Sequence, residues 1–461
     1  MLSRILLAFT ALATSVAHAA PALTLTIGDS LTAEYDTIPD VPGFAKLPTD
    51  YAKITVSGWE SMSWVEVMSR LEKSYFTFGS YKALPDAWSV PRLSGYEYNW
   101  AIPGIDAHQY ADFVSASVLQ NFAYYVARQP LETQLKSKAT RVVIWLGGNE
   151  FRANYGALYD GKSSASLVKS LTTDIGRVID FVKAKNSRAQ IVVCNVPDLG
   201  ATPSKKAAHP DPAKRARVTA ATVAVNAQIA RLAASKRVAV ADVYSPMAKL
   251  AQGGTFSFGA VAFVNDQDAN NNPRYAFTRD GLHPNTAVQI LNARIVVDAF
   301  NKTFAARIPQ ITDAQALTLL GIDPNAPITD WLAARGVTDK SLIADTDQDG
   351  MTQLVEYAFG TNPAKADADT IPATLSSVAA TVSIHYKPAA AAKALVRVQA
   401  QYSTDLATWI DVPAKNVKAS ADGSYTAVVP ATKTKAHLRL KVSTVPPVGS
   451  TLSVYSAMRF E

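Results

Sequence analysis

The sequence predicts a doubly wound α/β domain followed by a small all-β sandwich, and three observations carry that expectation. Five short apolar, β-branched runs (22–27, 98–102, 141–146, 189–195 and 237–242) alternate with segments of helical period as far as about residue 305. Continuous apolar runs of this length suit strands buried on both faces, and strand–helix alternation builds a parallel sheet with helices on each side. From Thr370 the texture changes to short alternating segments (381–386, 394–402, 424–429, 437–442) separated by turn residues, the spacing of an antiparallel sandwich.

Residues 1–19 read as a secretory leader. Arg4 gives the positive start, 5–16 form a short apolar run, and Ala17-His18-Ala19 is a small-x-small cleavage site. The mature chain is therefore expected outside the cytoplasm, in the periplasm or medium, beginning near Ala20. Composition agrees with a globular protein: of 461 residues, 48% are apolar and 18% charged. No later run stays apolar for the ~20 residues that a membrane span needs. Removal of the leader takes away Arg4 and no acid, so the formal charge falls from +7 by one, to +6. The basic residues form no dense run, which gives no reason to expect nucleic acid as a partner. Cys194 is the only cysteine and lies in the apolar run Ile191-Val192-Val193-Cys194. The expectation there is a small buried hydrophobe with no disulfide, not a reactive thiol.

The helices follow in order. Residues 163–186 place Leu167, Leu171, Ile175, Val178 and Val182 at helical spacing, with Ser163 or Ser164 as the cap. Residues 211–235 read as a second amphipathic helix and 285–304 as the last of the domain. After about Leu320 the helical pattern fades. Residues 321–369 are expected to be a linker that carries one acidic loop, and 370–461 the β-sandwich, which leaves 20–320 for the α/β domain.

The residues that carry chemistry fall at strand ends. The first run ends in Gly28-Asp29-Ser30-Leu31, and the carboxyl ends of strands are where open α/β sheets gather ligands. Downstream, Asp280 and His283 stand three apart on one short turn, so the carboxylate can hold the imidazole while its other nitrogen meets Ser30. Asn99-x-Ala101-x-x-Gly104 follows the second run and Gly147-Gly148-Asn149-Glu150 the third. A glycine N–H and an asparagine amide beside a serine are the donors that an acyl-transfer oxyanion needs. Read structurally, the same residues are strand-end turns and a helix cap, but four blocks in order at strand ends point to a site.

These four blocks, 28–31, 99–104, 147–150 and 280–284, resemble the signature of the SGNH (GDSL-type) hydrolases over about residues 22–305. The resemblance implies a flavodoxin-like α/β/α sandwich and hydrolysis of carboxylic esters through an acyl-enzyme, with no cofactor for catalysis. It implies Ser30 as nucleophile, His283 as base and Asp280 as its orienting partner, with an oxyanion hole from the Ser30 and Gly104 N–H groups and the Asn149 side chain. Glu150 stands where many members have Asp. A lipase-type G-x-S-x-G elbow is absent from the chain.

Two further segments bear on substrate and stability. Residues 31–98 are long for one crossover and carry Tyr51, Trp59, Trp64, Tyr75, Tyr81, Trp88, Tyr96 and Tyr98. Trp64 is expected in the core, with others candidates for a wall on which a sugar ring or acyl chain stacks. Asp345, Asp347, Asp349, Gly350 and Glu356 match the calcium-loop pattern at every defined position, with Met351 and Gln353 at its seventh and ninth places. A structural Ca²⁺ is expected there, held by a loop with an outgoing helix and a poor incoming one. The substrate readings are acetylated polysaccharide, or longer acyl chains as for a lipase or lysophospholipase. A surface-binding protein without catalysis is the alternative from another class.

Overall fold

The computed structural model describes residues 20–35, 55–56, 59–82, 88, 91–92, 94–267, 272–378, 381–430, 437–444 and 453–455. The expected leader at 1–19, Tyr51, the side chain of Trp59 and the expected loop at 445–447 lie outside the described residues. The chain divides into two compact units, one running to Gly254 and including Asn265–Ile311, the other formed by Thr255–Val264 and the chain from Thr312 on.

The first unit is built on a parallel sheet of β1 (Ala22–Gly28), β2 (Phe76–Thr77), β3 (Asn99–Ala101), β4 (Arg141–Trp145), β5 (Gln190–Cys194) and β6 (Ala239–Ala241). The order is β6-β5-β4-β1, and the far edge of β1 is shared by β2 at Ala22 and β3 at Thr26–Gly28. Five of the strands fall on the runs read from sequence. β2 was not anticipated, because two residues are too few to show a period. The central strands β1, β4 and β5 are buried on both faces over most of their length, as a parallel sheet covered by helices requires. Leu25, Ile27, Val142, Ile144, Ile191 and Val193 join one cluster, with side chains from α2 (Ala107–Ser115), α3 (Phe122–Ser137), α5 (Ala165–Lys185) and α6 (Pro212–Lys236). The alternate residues Val143, Trp145, Val192 and Cys194 are also buried and point to the opposite face by the period of two. On that side α7 (Thr286–Phe304) packs on β5 and β6, with α1 (Trp64–Leu71) against it.

Caps explain where the helices start. Asp211 accepts from Ala213 N and Lys214 N to open α6, and Asn285 accepts from Thr286 N to open α7. Ser164 stands at the N-cap of α5 without a side-chain bond, whereas Ser163 Oγ accepts from Ala165 N at 3.4 Å. Chain direction diverges on either side of β1, so its carboxyl end, between those of β3 and β4, is the switch point at which such sheets bind ligands.

In the second unit the stretch expected as linker is structured. It contains α9 (Ala326–Ala333) and α10 (Gln353–Phe359), preceded by α8 (Asp313–Leu319). Ile328, Leu332, Leu354, Val355 and Ala358 share a buried cluster with residues of two antiparallel four-stranded sheets. α10 is the helix expected after the acidic loop, whereas α8 and α9, seven and eight residues long, were hidden by a fading helical period. One sheet pairs Ala373–Val378, Thr381–Tyr386, Tyr425–Pro430 and Val417–Ala419; the other pairs Ile410–Asp411, Val396–Ser403, His437–Thr444 and Ser453–Tyr455. Inward residues alternate along His437–Thr444, where Leu438, Leu440 and Val442 are buried.

Candidate active site

Ser30 sits two residues beyond β1, in a tight turn closed by Thr32 N and Ala33 N, which both donate to Asp29 O. Gly28 makes this turn possible. A Cβ there would lie 2.6 Å from Thr32 Oγ1 and 3.1 Å from Trp145 O, contacts closer than packed atoms tolerate. β1 thereby delivers Ser30 beside the ends of β3 and β4 with its side chain at the mouth of a cleft.

His283 reaches that cleft from a second turn. The strand Tyr275–Phe277 is followed by Thr278, whose N–H donates to His283 O, and Gly281 N donates to Thr278 O. Gly281 has φ +65°, and a Cβ would meet Gln267 Oε1 at 2.3 Å, so the turn demands glycine. Asp280 is the hub of this turn. Its Oδ1 accepts from Thr278 Oγ1, Leu282 N and His283 N at 2.8–2.9 Å, and its Oδ2 lies 2.5 Å from His283 Nδ1. His283 Nε2 then stands 2.8 Å from Ser30 Oγ. Burial alone would raise the Asp280 carboxyl, but the His283 ring and these N–H groups outweigh it and hold it at about 2. Hydroxyl, imidazole and carboxylate in this order are the parts of a base-activated nucleophile.

The imidazole is held from behind as well. Tyr35 presents its ring edge-on to His283 at 6.3 Å between centroids, donates to Pro284 O at 2.9 Å and accepts from Gln289 Nε2 at 2.7 Å. Nothing in the short signature blocks pointed to Tyr35 or Gln289, since they lie in separate elements and meet only in the fold.

The residues read as oxyanion donors gather at the same cleft. Asp29, Ser30, Leu31, Gly104, Gly148, Asn149, Arg152, Leu199, Leu282 and His283 line it. Asn149 is the second residue of α4 (Gly148–Tyr159), whose N-cap is Gly147, so it is not itself a cap. Its Nδ2 donates to Ile105 O at 2.9 Å and stands 3.5 Å from Asp29 Oδ2, while its Oδ1 accepts from Arg152 Nε at 3.0 Å. Asp29 is buried beside it, and burial pushes its carboxyl up to about 6 against the pull of the Leu31 N–H and the His283 and Arg152 charges. Glu150 points away from the serine. Its Oε1 accepts from Ala107 N, at the first residue of α2, and a side chain longer than Asp provides that reach. Burial raises its carboxyl to about 7.

The expected aromatic wall is absent among the described residues. Trp64 is fully buried, as expected, with its Nε1 donating to Thr32 Oγ1 at 3.3 Å. Trp88 donates to Gly95 O, Tyr81 packs on Tyr96, and none of these lines the cleft. Three leucines and Arg152 take that place; Leu31 and Leu282 lie inside the blocks, whereas Leu199 and Arg152 lie outside them and carried no sequence signal. Cys194 is free and fully buried, and burial pushes its thiol far up, as for an inert core residue.

In the second unit Asp345, Asp347 and Asp349 bring carboxylate oxygens within 4.8 Å of one another. Gln353 turns its Nε2 to Thr346 Oγ1 at 2.7 Å and keeps its Oε1 buried without a partner, and the Met351 side chain is buried, which leaves only its carbonyl as a donor to any cation.

The serine, histidine and carboxylate on an open parallel sheet define a class of α/β hydrolytic enzyme outside the G-x-S-x-G group. The chain belongs to the GDSL-like lipase/acylhydrolase family, whose model matches residues 25–296, and is an enzyme that acts on ester bonds. No curated protein sequence gives a match. Among solved structures, an extracellular lipase from Streptomyces rimosus is similar at 16% identity over 60% of this chain and 99% of its own, with a TM-score of 0.35. Phospholipase A1 from Streptomyces albidoflavus gives 15% identity, 61% and 100% coverage, and 0.35. A family two carbohydrate esterase from Clostridium thermocellum gives 14%, 62% and 64%, and 0.32.

Proposed function

We propose that the protein is an exported serine esterase that removes short acyl groups, acetyl first, from carbohydrate. The observation that carries the catalytic reading is the unbroken line from Ser30 Oγ through His283 to Asp280, at 2.8 and 2.5 Å. In it His283 takes the hydroxyl proton as Ser30 attacks the ester carbonyl, and Asp280 orients and compensates the imidazolium. The oxyanion accepts from the Ser30 and Gly104 N–H groups and from Asn149 Nδ2. The alcohol leaves with the proton from His283, and water repeats the sequence on the acyl-enzyme.

The acyl preference is supported by space. The enclosed part of the cleft at Ser30 is about 30 Å³. That suits a methyl group against Leu31, Leu199 or Leu282 and disfavours a long chain. Export is supported by the leader at 1–19, and no helix among the described residues is long and apolar enough to cross a membrane. In this reading the first unit is the catalytic domain and the two antiparallel sheets of the second form an accessory β-sandwich.

A chromogenic ester series from acetate to long acyl chains, with acetylated xylan beside it, tests the proposal. Turnover falling with chain length and acetate release from xylan are expected. Preference for long chains would replace it with the lipase reading. Absence of turnover on every ester by folded protein would favour a binding protein. Export is tested separately by the mass of the secreted protein, which should begin at Ala20.

A further inference from the structure

Glu356 is the most exposed contradiction in the second unit, because a charged side chain has been buried with nothing to hold it. It is 0% exposed, and neither Oε1 nor Oε2 has a hydrogen-bond partner. The charges that act on it are those of Asp347, Asp349, Asp367 and Asp345, all of the same sign. Asp345 Oδ1 and Asp347 Oδ2 are likewise buried without partners. No N–H or O–H of the described residues reaches these oxygens, and no lysine or arginine forms an ion pair with any of these carboxylates among the described residues.

The remaining oxygens are tied to backbone in a way that fixes the free ones inward. Gly350 N donates to Asp345 Oδ2 at 2.9 Å, Asp349 N to Asp347 Oδ1 at 3.3 Å, and Met351 N to Asp349 Oδ1 at 2.9 Å. Each aspartate thus spends one oxygen on the loop. Asp349 Oδ2 also accepts from Asp367 N at 2.9 Å, and Asp367 in turn accepts from Asn362 N. The network therefore runs from residue 345 to 367, on both sides of α10.

We propose that Asp345, Asp347, Asp349 and Glu356 hold one calcium ion, with the Met351 carbonyl as a further oxygen donor, and that the ion locks residues 345–367 onto the core of the second unit. Hard oxygen donors select a hard cation. A buried glutamate at the twelfth position, free at both oxygens, can grip it bidentately, which suits the larger ion with more ligands over magnesium. Leu354, Val355, Ala358 and Phe359 of α10 all sit in the buried cluster, so fixing Glu356 fixes that helix. Asp367 adds negative charge outside the ligand set and carries the lock toward the strand that begins at Ala373.

The test uses the full chain, stripped with chelator and titrated calorimetrically with calcium chloride. One ion per chain is expected, with Kd about 10⁻⁴–10⁻³ M. The melting temperature should climb with the logarithm of free calcium above Kd, since the ion binds only the folded loop. Glu356→Gln keeps the shape and removes the buried charge, so it should fold without calcium while binding at least ~10-fold more weakly and losing the calcium-dependent rise. Asp347→Asn should do the same. Absence of heat and of any rise at millimolar calcium would overturn the proposal. So would wild-type binding retained by both variants, or a response to magnesium equal to that for calcium.

Discussion

Asp280 in the first unit and Glu356 in the second are both buried carboxylates, and the fold treats them in opposite ways. Asp280 accepts from a hydroxyl, two backbone N–H groups and an imidazole, and is held at about 2. Glu356 accepts from no group among the described residues, and burial, then the neighbouring carboxylates, push it up to about 8. Burying an ion is costly unless its hydrogen bonds are made or a counter-charge is supplied. The turn at 278–283 satisfies its ion with protein atoms and so is complete as a chemical device. The loop at 345–356 leaves both Glu356 oxygens, Asp345 Oδ1 and Asp347 Oδ2 buried with no partner among the described residues. The contrast divides the molecule into a region finished by its own chain and a region that calls for something added.

The comparison breaks most sharply at Ser30. Ser30→Ala should lower kcat by at least ~10³-fold while leaving the melting temperature and its response to calcium where they were. The change removes one oxygen and little volume, and a water in the cleft can take its place beside His283 Nε2, so stability should move little. Near-normal ester turnover by the folded variant would show that the finished region is not the reacting one.

Next in size is Asn149→Ala, expected to cost ~10²–10³ in kcat with a much smaller change in KM, the loss usual for one oxyanion donor. Equal falls in binding and turnover would instead make Asn149 a substrate contact. Steady-state kinetics on an acetate ester separate the two.

Asp29 sharpens the comparison from inside the cleft, because it is a buried carboxyl with fewer donors than Asp280. Its folded value of about 6 lies above the unfolded value near 3.9, so folding favours the neutral form. The stability it adds is full below pH 3.9 and is lost as pH rises through about 6. Asp29→Asn removes that loss. Urea unfolding at pH 4 and pH 7 should show the variant gaining on the wild type by roughly 2–3 kcal/mol between the two. A difference independent of pH would mean that Asp29 keeps an ordinary carboxylate environment.

Legibility from sequence followed the length of the local signal. The five main strands and the three long helices were readable because apolar runs and helical periods persist over enough residues to stand out, and Asp211 and Asn285 marked their starts. The Ser30, Gly104, Asn149, Asp280 and His283 positions were readable because each block is short and rigid, a strand end plus a turn. What was hidden depends on long-range assembly. β2 has two residues, and α9 takes up eight residues of a region read as linker, with a buried face that becomes visible only against the antiparallel sheets. Tyr35 and Gln289 meet across 254 positions. The aromatic residues of 59–98 carried a composition signal without a direction, and Trp64, Trp88 and Tyr96 turned to packing and backbone contacts and not to the cleft.

The smallest effect concerns Glu150, the last residue of the Gly147–Glu150 block. Its Oε1 holds the N–H of Ala107, which is itself fully buried, and so joins the first turn of α4 to the first turn of α2. Its Oε2 is buried without a partner. Glu150→Ala therefore strands one backbone donor, at a cost of about 1–2 kcal/mol in unfolding free energy. Glu150→Gln keeps an acceptor for Ala107 and loses the buried charge, so it should stay within ~0.5 kcal/mol of the wild type or exceed it above pH 7, where burial has made ionisation of Glu150 costly. Neither variant touches Ser30, His283 or Asp280, so kcat should change by less than ~10-fold in both. Urea unfolding of the two variants beside the wild type decides it. Equal destabilisation by Ala and Gln would show that the charge, and not the hydrogen bond to α2, is what position 150 contributes.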